Sequence, residues 1–122
     1  MERIGIAHLA ATQVGTLAHG QRQLVELATV IAPRPALILL DEPAAGLTEA
    51  EQAELAGTLR AAADAGAAVL IVEHNMPFLL PLADRITCLD EGRVIAEGTP
   101  DAIRRDRRVR AAYLGSPGPE VP

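Results

Sequence analysis

The sequence predicts an α/β fold on a mostly parallel sheet, and three stretches carry that expectation. "ALILL" (36–40) and "AAVLIV" (67–72) are short, continuous apolar runs, the pattern of strands buried on both faces. Between them, "TEAE" (48–51) matches a capping box, with Thr48 as N-cap and Glu51 three residues on, and so opens a helix. Strand, helix, strand in this order is a βαβ unit, which calls for parallel strands and a right-handed crossover.

Each element has its own local reason. Residues 1–16 read as a short helix ending near Leu9, followed by a loop. From Gln21 the spacing Leu24, Leu27, Ala28, Ile31 is the apolar stripe of an amphipathic helix, which Pro33 and Pro35 stop. The helix opened by Thr48 places Leu55, Leu59, Ala62 and Ala63 on one stripe, and Gly66 suits its C-terminal cap. A short helix is expected over 77–83, with Pro77 at its start. "RITCLD" (85–90) and "RVIAEG" (93–98) flank "EG" as a hairpin. The stretch from Thr99 is helical with Pro100 at its start and a break around Asp106, and "SPGPEVP" reads as a disordered tail.

Composition narrows the function classes. The chain has 122 residues, 49% of them apolar, enough for one small domain or a piece of a larger one. A net charge of −5 gives no support for a nucleic-acid partner, and the basic run "RRDRRVR" (104–110) lacks interleaved aromatics and reads as a solvated helix face. A single cysteine, Cys88, excludes an intramolecular disulfide and fits packing in a reducing compartment. No apolar run approaches the ~20 residues of a membrane span. His8 and His19 have no ligand set around them that would suggest a metal site.

The chemistry concentrates at one sheet edge. Parallel strands end on the same side, so Asp41-Glu42 after the first strand and Glu73-His74 after the second share that edge. Ligands of open α/β sheets bind outside the carboxyl ends of the strands. Neighbouring strands lie about 4.8 Å apart, close enough for these acids and the imidazole to meet on one ligand. An Asp beside a Glu suits metal-assisted phosphoryl transfer, one carboxylate supporting Mg²⁺ and the other polarising a water. The competing reading is a pair of acids that merely marks a strand end at the surface. "LAHGQRQ" (17–23) places Gly20 at the start of a helix, whose free N–H groups form a phosphate cradle, or else an ordinary cap.

Taken together and in order, "LAHGQ", "LILLDEP", "AAGLT" and "IVEHN" resemble the signature, Walker B, D-loop and switch-histidine segments of ABC transporter ATP-binding subunits. The tail "LADRITCLDEGRVIAEGTPDAIRRDRRVRAAYLG" is similar to that of the ATPase subunits of branched-chain amino-acid importers. The resemblance implies a P-loop NTPase-type sheet with flanking helices, of which this chain is the C-terminal half. Residues 1–32 would end the helical subdomain, 33–115 would form the C-terminal part of the ATPase core, and 116–122 the tail. It further implies ATP and Mg²⁺ as cofactors, with Asp41 helping to hold Mg²⁺, Glu42 as catalytic base and His74 contacting the γ-phosphate. Ala18, His19, Gly20 and Gln21 would meet ATP held by a second ATP-binding subunit, in a homo- or heterodimer, and Leu47 and Thr48 would lie at that interface. Membrane permease subunits are the other implied partners, with no direct membrane insertion and a cytoplasmic place on the inner face of the membrane.

Two positions depart from the family pattern. Ala18 replaces the signature serine, removing a hydroxyl whose hydrogen bond to a charged group is worth roughly 1.5–3 kcal/mol. Thr48 stands where Asp or Asn is usual and still offers a hydroxyl. No G-x-x-x-x-G-K-[ST] occurs in the chain, and by the resemblance the P-loop and adenine-stacking aromatic lie upstream of the signature. The isolated chain is therefore expected to be marginal or aggregation-prone, with exposed sheet edges, and to hydrolyse no ATP. The alternative function is a non-catalytic module that lends "LAHGQ" to a partner's ATP; intact Glu42 and His74 argue against it. A role outside transport, in DNA repair or translation, is disfavoured by the importer-like tail.

Overall fold

Helix α1 (His19–Ile31) begins two residues before the expected start and buries Gly20, Leu24, Leu27 and Ala28, with Ile31 half-buried at its end. The computed structural model describes residues 19–113, so the expected N-terminal helix, Ala18 and the tail lie outside the described residues. The chain divides into two units, one ending at Glu73 and the other beginning at His74.

In the first unit, strands β1 (Leu37–Asp41) and β2 (Ala68–Val72) pair in parallel, in register from Leu37↔Ala68 to Asp41↔Val72. The expectation of strands buried on both faces is corrected here. Ile38 is 1% exposed, whereas Leu39 and Leu70, its neighbours on the opposite face, are 64% and 60% exposed. Successive strand side chains alternate between faces. Among the described residues helices cover only one: Leu27 of α1, Leu40 of β1 and Leu55 of α2 line a common groove. Leu37, Leu39, Leu70 and Val72 form the uncovered face.

Helix α2 (Glu49–Asp64) joins the two strands and starts with the capping box read from the sequence. The Glu51 N–H donates to Thr48 Oγ1 at 3.1 Å, and the Thr48 N–H donates to Glu51 Oε1 at 3.0 Å. Leu55 and Leu59 are buried as the stripe requires, while Ala62 and Ala63 are half-buried. The polar Thr58 fills the remaining buried position, its hydroxyl donating to the Glu54 carbonyl at 2.9 Å. Ala65 caps the C-terminus and Gly66 follows it with a positive φ. Thr48→Ala should cost about 0.5–2 kcal/mol, because the Glu51 N–H at the helix start loses its side-chain acceptor. Urea unfolding of the variant against wild type measures that loss, and an unchanged midpoint would deny the cap its role.

In the second unit, Asn75 caps α3 (Met76–Leu79), accepting from the Phe78 N–H at 3.1 Å, and Pro77 sits in its first turn. The helix is shorter than the expected 77–83, although bonds from the Leu82 and Ala83 N–H groups to the Leu79 carbonyl carry the turn onward. Strands β3 (Ile86–Asp90) and β4 (Arg93–Gly98) form the antiparallel hairpin. Glu91 and Gly92 have φ of 49° and 78°, the two positive values of a type I′ turn. Thr99 caps α4 (Pro100–Arg105), and Asp106 both ends α4 and caps α5 (Arg107–Ala112), giving the expected break its cause. Arg104 pairs with Asp101 at 3.5 Å and Arg108 with Asp106 at 3.8 Å, both partly exposed, as a solvated basic face would have them. Ile103 and Val109, 1% and 0% exposed, form this unit's core with Ile86 and Cys88.

Burial, and secondarily the nearby Asp106 carboxylate, raise the Cys88 thiol above its ordinary pKa. The folded thiol thus keeps its proton where the unfolded one releases it, so stability should fall as pH rises through and above the ordinary thiol range. Alkylation of Cys88 should be slow in buffer and fast in denaturant, and equal rates in both would contradict its burial. Among the described residues no helix is long and apolar enough to cross a membrane.

Candidate functional site

The carboxyl edge of β1 and β2 gathers the acids that the sequence placed there. Asp41 ends β1 and is exposed, sharing a face with Leu37 and Leu39 by strand alternation. The next residue turns sharply. Glu42 adopts φ of +48° while its N–H donates to the Val72 carbonyl at 2.7 Å, the last rung between the strands. A left-handed conformation costs a non-glycine residue roughly 1–2 kcal/mol. The Glu42 side chain lies beside Glu73, with carboxylate oxygens within 4.8 Å of each other.

Glu73 is the strand-end acid that the sequence places at this same edge, among the groups able to meet on one ligand. Its half-buried carboxylate accepts the Ala44 N–H at 3.2 Å, tying the turn after Glu42 to the end of β2. The parallel register is the signal that finds it: with Asp41 opposite Val72, the residues that follow each strand meet. His74 follows Glu73 directly in the chain, is exposed, and opens the second unit.

Leu47 is buried at 8% exposure, within its own unit, whereas Thr48 is exposed and its hydroxyl serves the cap of α2. At the start of α1, His19 is exposed and Gln21 half-buried. His19 Nε2 lies 3.3 Å from the Ala45 carbonyl. The room that Gly20 was expected to leave for a phosphate is occupied differently. A Cβ at Gly20 would fall 2.0 Å from Glu51 Oε2, so the missing side chain admits a carboxylate of the same chain. Glu51 reaches there because the capping box holds it at the third position of α2. The first turn of α1 carries no acidic residue of its own, so the Glu51 carboxylate beside Gly20 is the negative charge that faces the partial positive end of this helix.

Chemically, the strand edge offers exposed carboxylate oxygens, hard donors suited to a divalent cation that keeps several waters, beside a second carboxylate able to accept a proton from water.

The comparisons with known proteins point the same way. The "ABC transporter" family model matches residues 1–45, and the "Branched-chain amino acid ATP-binding cassette transporter" model matches residues 93–118. The chain is 35% identical over 116 residues to the high-affinity branched-chain amino acid transport ATP-binding protein BraF of Pseudomonas aeruginosa, covering 94% of this chain and 46% of that protein. It is 36% identical over 115 residues to the lipopolysaccharide export system ATP-binding protein LptB of Escherichia coli (strain K12), covering 94% of this chain and 48% of LptB. Among solved structures it superposes on MJ1267, an ATP-binding cassette of an ABC transporter, with a TM-score of 0.81 and 28% identity, covering 93% of this chain and 47% of that one. The chain thus spans about half the length of the curated relatives it matches. It belongs to the family of ABC transporter ATP-binding domains.

Proposed function

We propose that this chain forms part of an ATP-hydrolysing subunit that powers a membrane importer, with branched-chain amino acids as cargo. The observation that carries the reading is the strand edge, where exposed Asp41 is followed by a left-handed Glu42 whose carboxylate stands beside that of Glu73. Backbone strain at an exposed acid on a ligand-binding edge is the kind of feature that function retains.

In this reading Asp41 would hold Mg²⁺, for which an exposed carboxylate with room for waters is a fitting donor. When bound, Mg²⁺ neutralises charge developing on the phosphate oxygens. Glu42 orients the attacking water and accepts its proton, while His74 contacts the γ-phosphate. The segment from Ala18 to Gln21 addresses ATP held by a second ATP-binding subunit, with Thr48 and the loop around Leu47 near that subunit. Permease subunits would anchor the assembly at the inner face of the membrane.

The cargo has a competitor. Identity to LptB equals that to the importer relatives within one percentage point, which favours a lipopolysaccharide-export-type reading as the second choice. The match of residues 93–118 to the branched-chain amino acid family model supports the first. The test completes this chain with the N-terminal half of BraF and expresses it in a strain lacking its branched-chain amino-acid importer ATPase. Restored leucine uptake with measurable ATP turnover is the expected result. Turnover without uptake would remove the cargo assignment, and a folded assembly without turnover would favour the non-catalytic module.

A further inference from the structure

Two segments assigned to a second subunit's nucleotide and to the subunit interface touch each other within this chain. His19 Nε2 approaches the Ala45 carbonyl at 3.3 Å, so the ring nitrogen donates in the tautomer that protonates Nε2. The ring also lies over Gly46, where φ is +76°: a Cβ there would come within 2.9 Å of Nε2 and 3.0 Å of Cδ2. One residue along, Gly20 is closed against the Glu51 carboxylate, which is itself held by the Thr48 N–H at 3.0 Å. Three residues between 45 and 51 thus meet the first two residues of α1, across at least 26 positions of sequence.

We infer that His19 is a positioning residue that latches the turn at 44–47 to the start of α1, so that the two segments shift as one piece. Gly46 supplies both the positive φ and the flat floor that the ring needs. The turn has its own short bonds, Ala45 N–H to Glu42 and Leu47 N–H to Ala44, each 3.2 Å. Isolated bonds of that length hold a loop weakly, and an external anchor at the Ala45 carbonyl adds rigidity where the chain leaves Glu42. The latch itself is a statement about the fold. Its consequence, that contact with a neighbour's nucleotide is transmitted to the turn after Glu42, rests on the proposed function.

The test reads amide hydrogen exchange in the full chain. His19→Ala should speed exchange of the Ala45 and Leu47 amides roughly 5–10-fold, the loss expected for one hydrogen bond, with the amides of α2 around Leu59 unchanged as the folding control. His19→Gln, whose amide nitrogen can reach the same carbonyl, should restore most of the protection. Gly46→Ala should also speed exchange, and by a smaller factor when His19 is already Ala, because the crowding against the ring is then gone. Unchanged exchange of Ala45 and Leu47 in His19→Ala, or independent effects of the two substitutions, would overturn the latch. In the enzyme completed with the BraF half, His19→Ala should lower kcat more than it changes KM for ATP. Faster exchange in His19→Ala with no turnover even in the unsubstituted enzyme would leave the latch standing and sink the ATPase reading. Robust turnover with unaltered exchange would do the reverse.

Discussion

Glu42→Gln in the completed enzyme is expected to lower ATP turnover roughly 10²–10⁴-fold, the contribution of a positioned general base. The substitution keeps the shape and the backbone donor to Val72, and removes only the group that accepts the proton. Mg-ATP binding should therefore survive, and nucleotide should accumulate unhydrolysed on the protein. Single-turnover measurements separate the two steps. A variant that retains more than about a tenth of the turnover would remove Glu42 from the base role and direct attention to Glu73, whose carboxylate lies within 4.8 Å. Because Glu73 also holds the Ala44 N–H, its own replacement would disturb the turn as well as the charge, so Glu42 is the cleaner first test.

The largest effect on stability is expected in the second unit. Ile103 is 1% exposed and sits on α4 against β4, so Ile103→Ala should cost about 2–5 kcal/mol, the transfer loss plus the cavity left behind. Typical domains have only about 5–15 kcal/mol of stability, so a unit of 40 described residues (74–113) has little to spare. Tyr113 provides the probe, since it is the chain's one tyrosine, there is no tryptophan, and its hydroxyl donates to the Leu89 carbonyl. Tyrosine fluorescence in a urea titration should show the unit unfolding at markedly lower urea in the variant. A shift equivalent to less than about 1 kcal/mol would mean that Ile103 is not a central packing residue.

Much of the local structure was legible because its causes are local. The Thr48–Glu51 capping box, the Glu91–Gly92 turn, the helix start at Pro100, the proline in the first turn of α3 and the break at Asp106 are each written within a few residues. The parallel pairing of β1 and β2 followed from the order strand, helix, strand, and that order put Asp41, Glu42 and Glu73 at one edge. The family itself was readable from four short segments in order.

The burial of the strands was not legible. A continuous apolar run states that both faces tolerate cover, but only tertiary structure decides what lies over each face, and here helices meet the Ile38 side alone among the described residues. The partnership at the site was likewise decided by the fold. The adjacent pair Asp41-Glu42 suggested two acids working side by side, and the fold adds Glu73 as a neighbour of the left-handed Glu42. Gly20, legible as open backbone for a phosphate, is filled by Glu51, and His19 turns to a carbonyl 26 residues away. The sequence by itself determined the elements, their order and the edge where the acids gather, since these depend on spacing along the chain. Only tertiary structure decided which of those side chains touch, since the deciding contacts join residues 26 or more positions apart, beyond the reach of any local pattern.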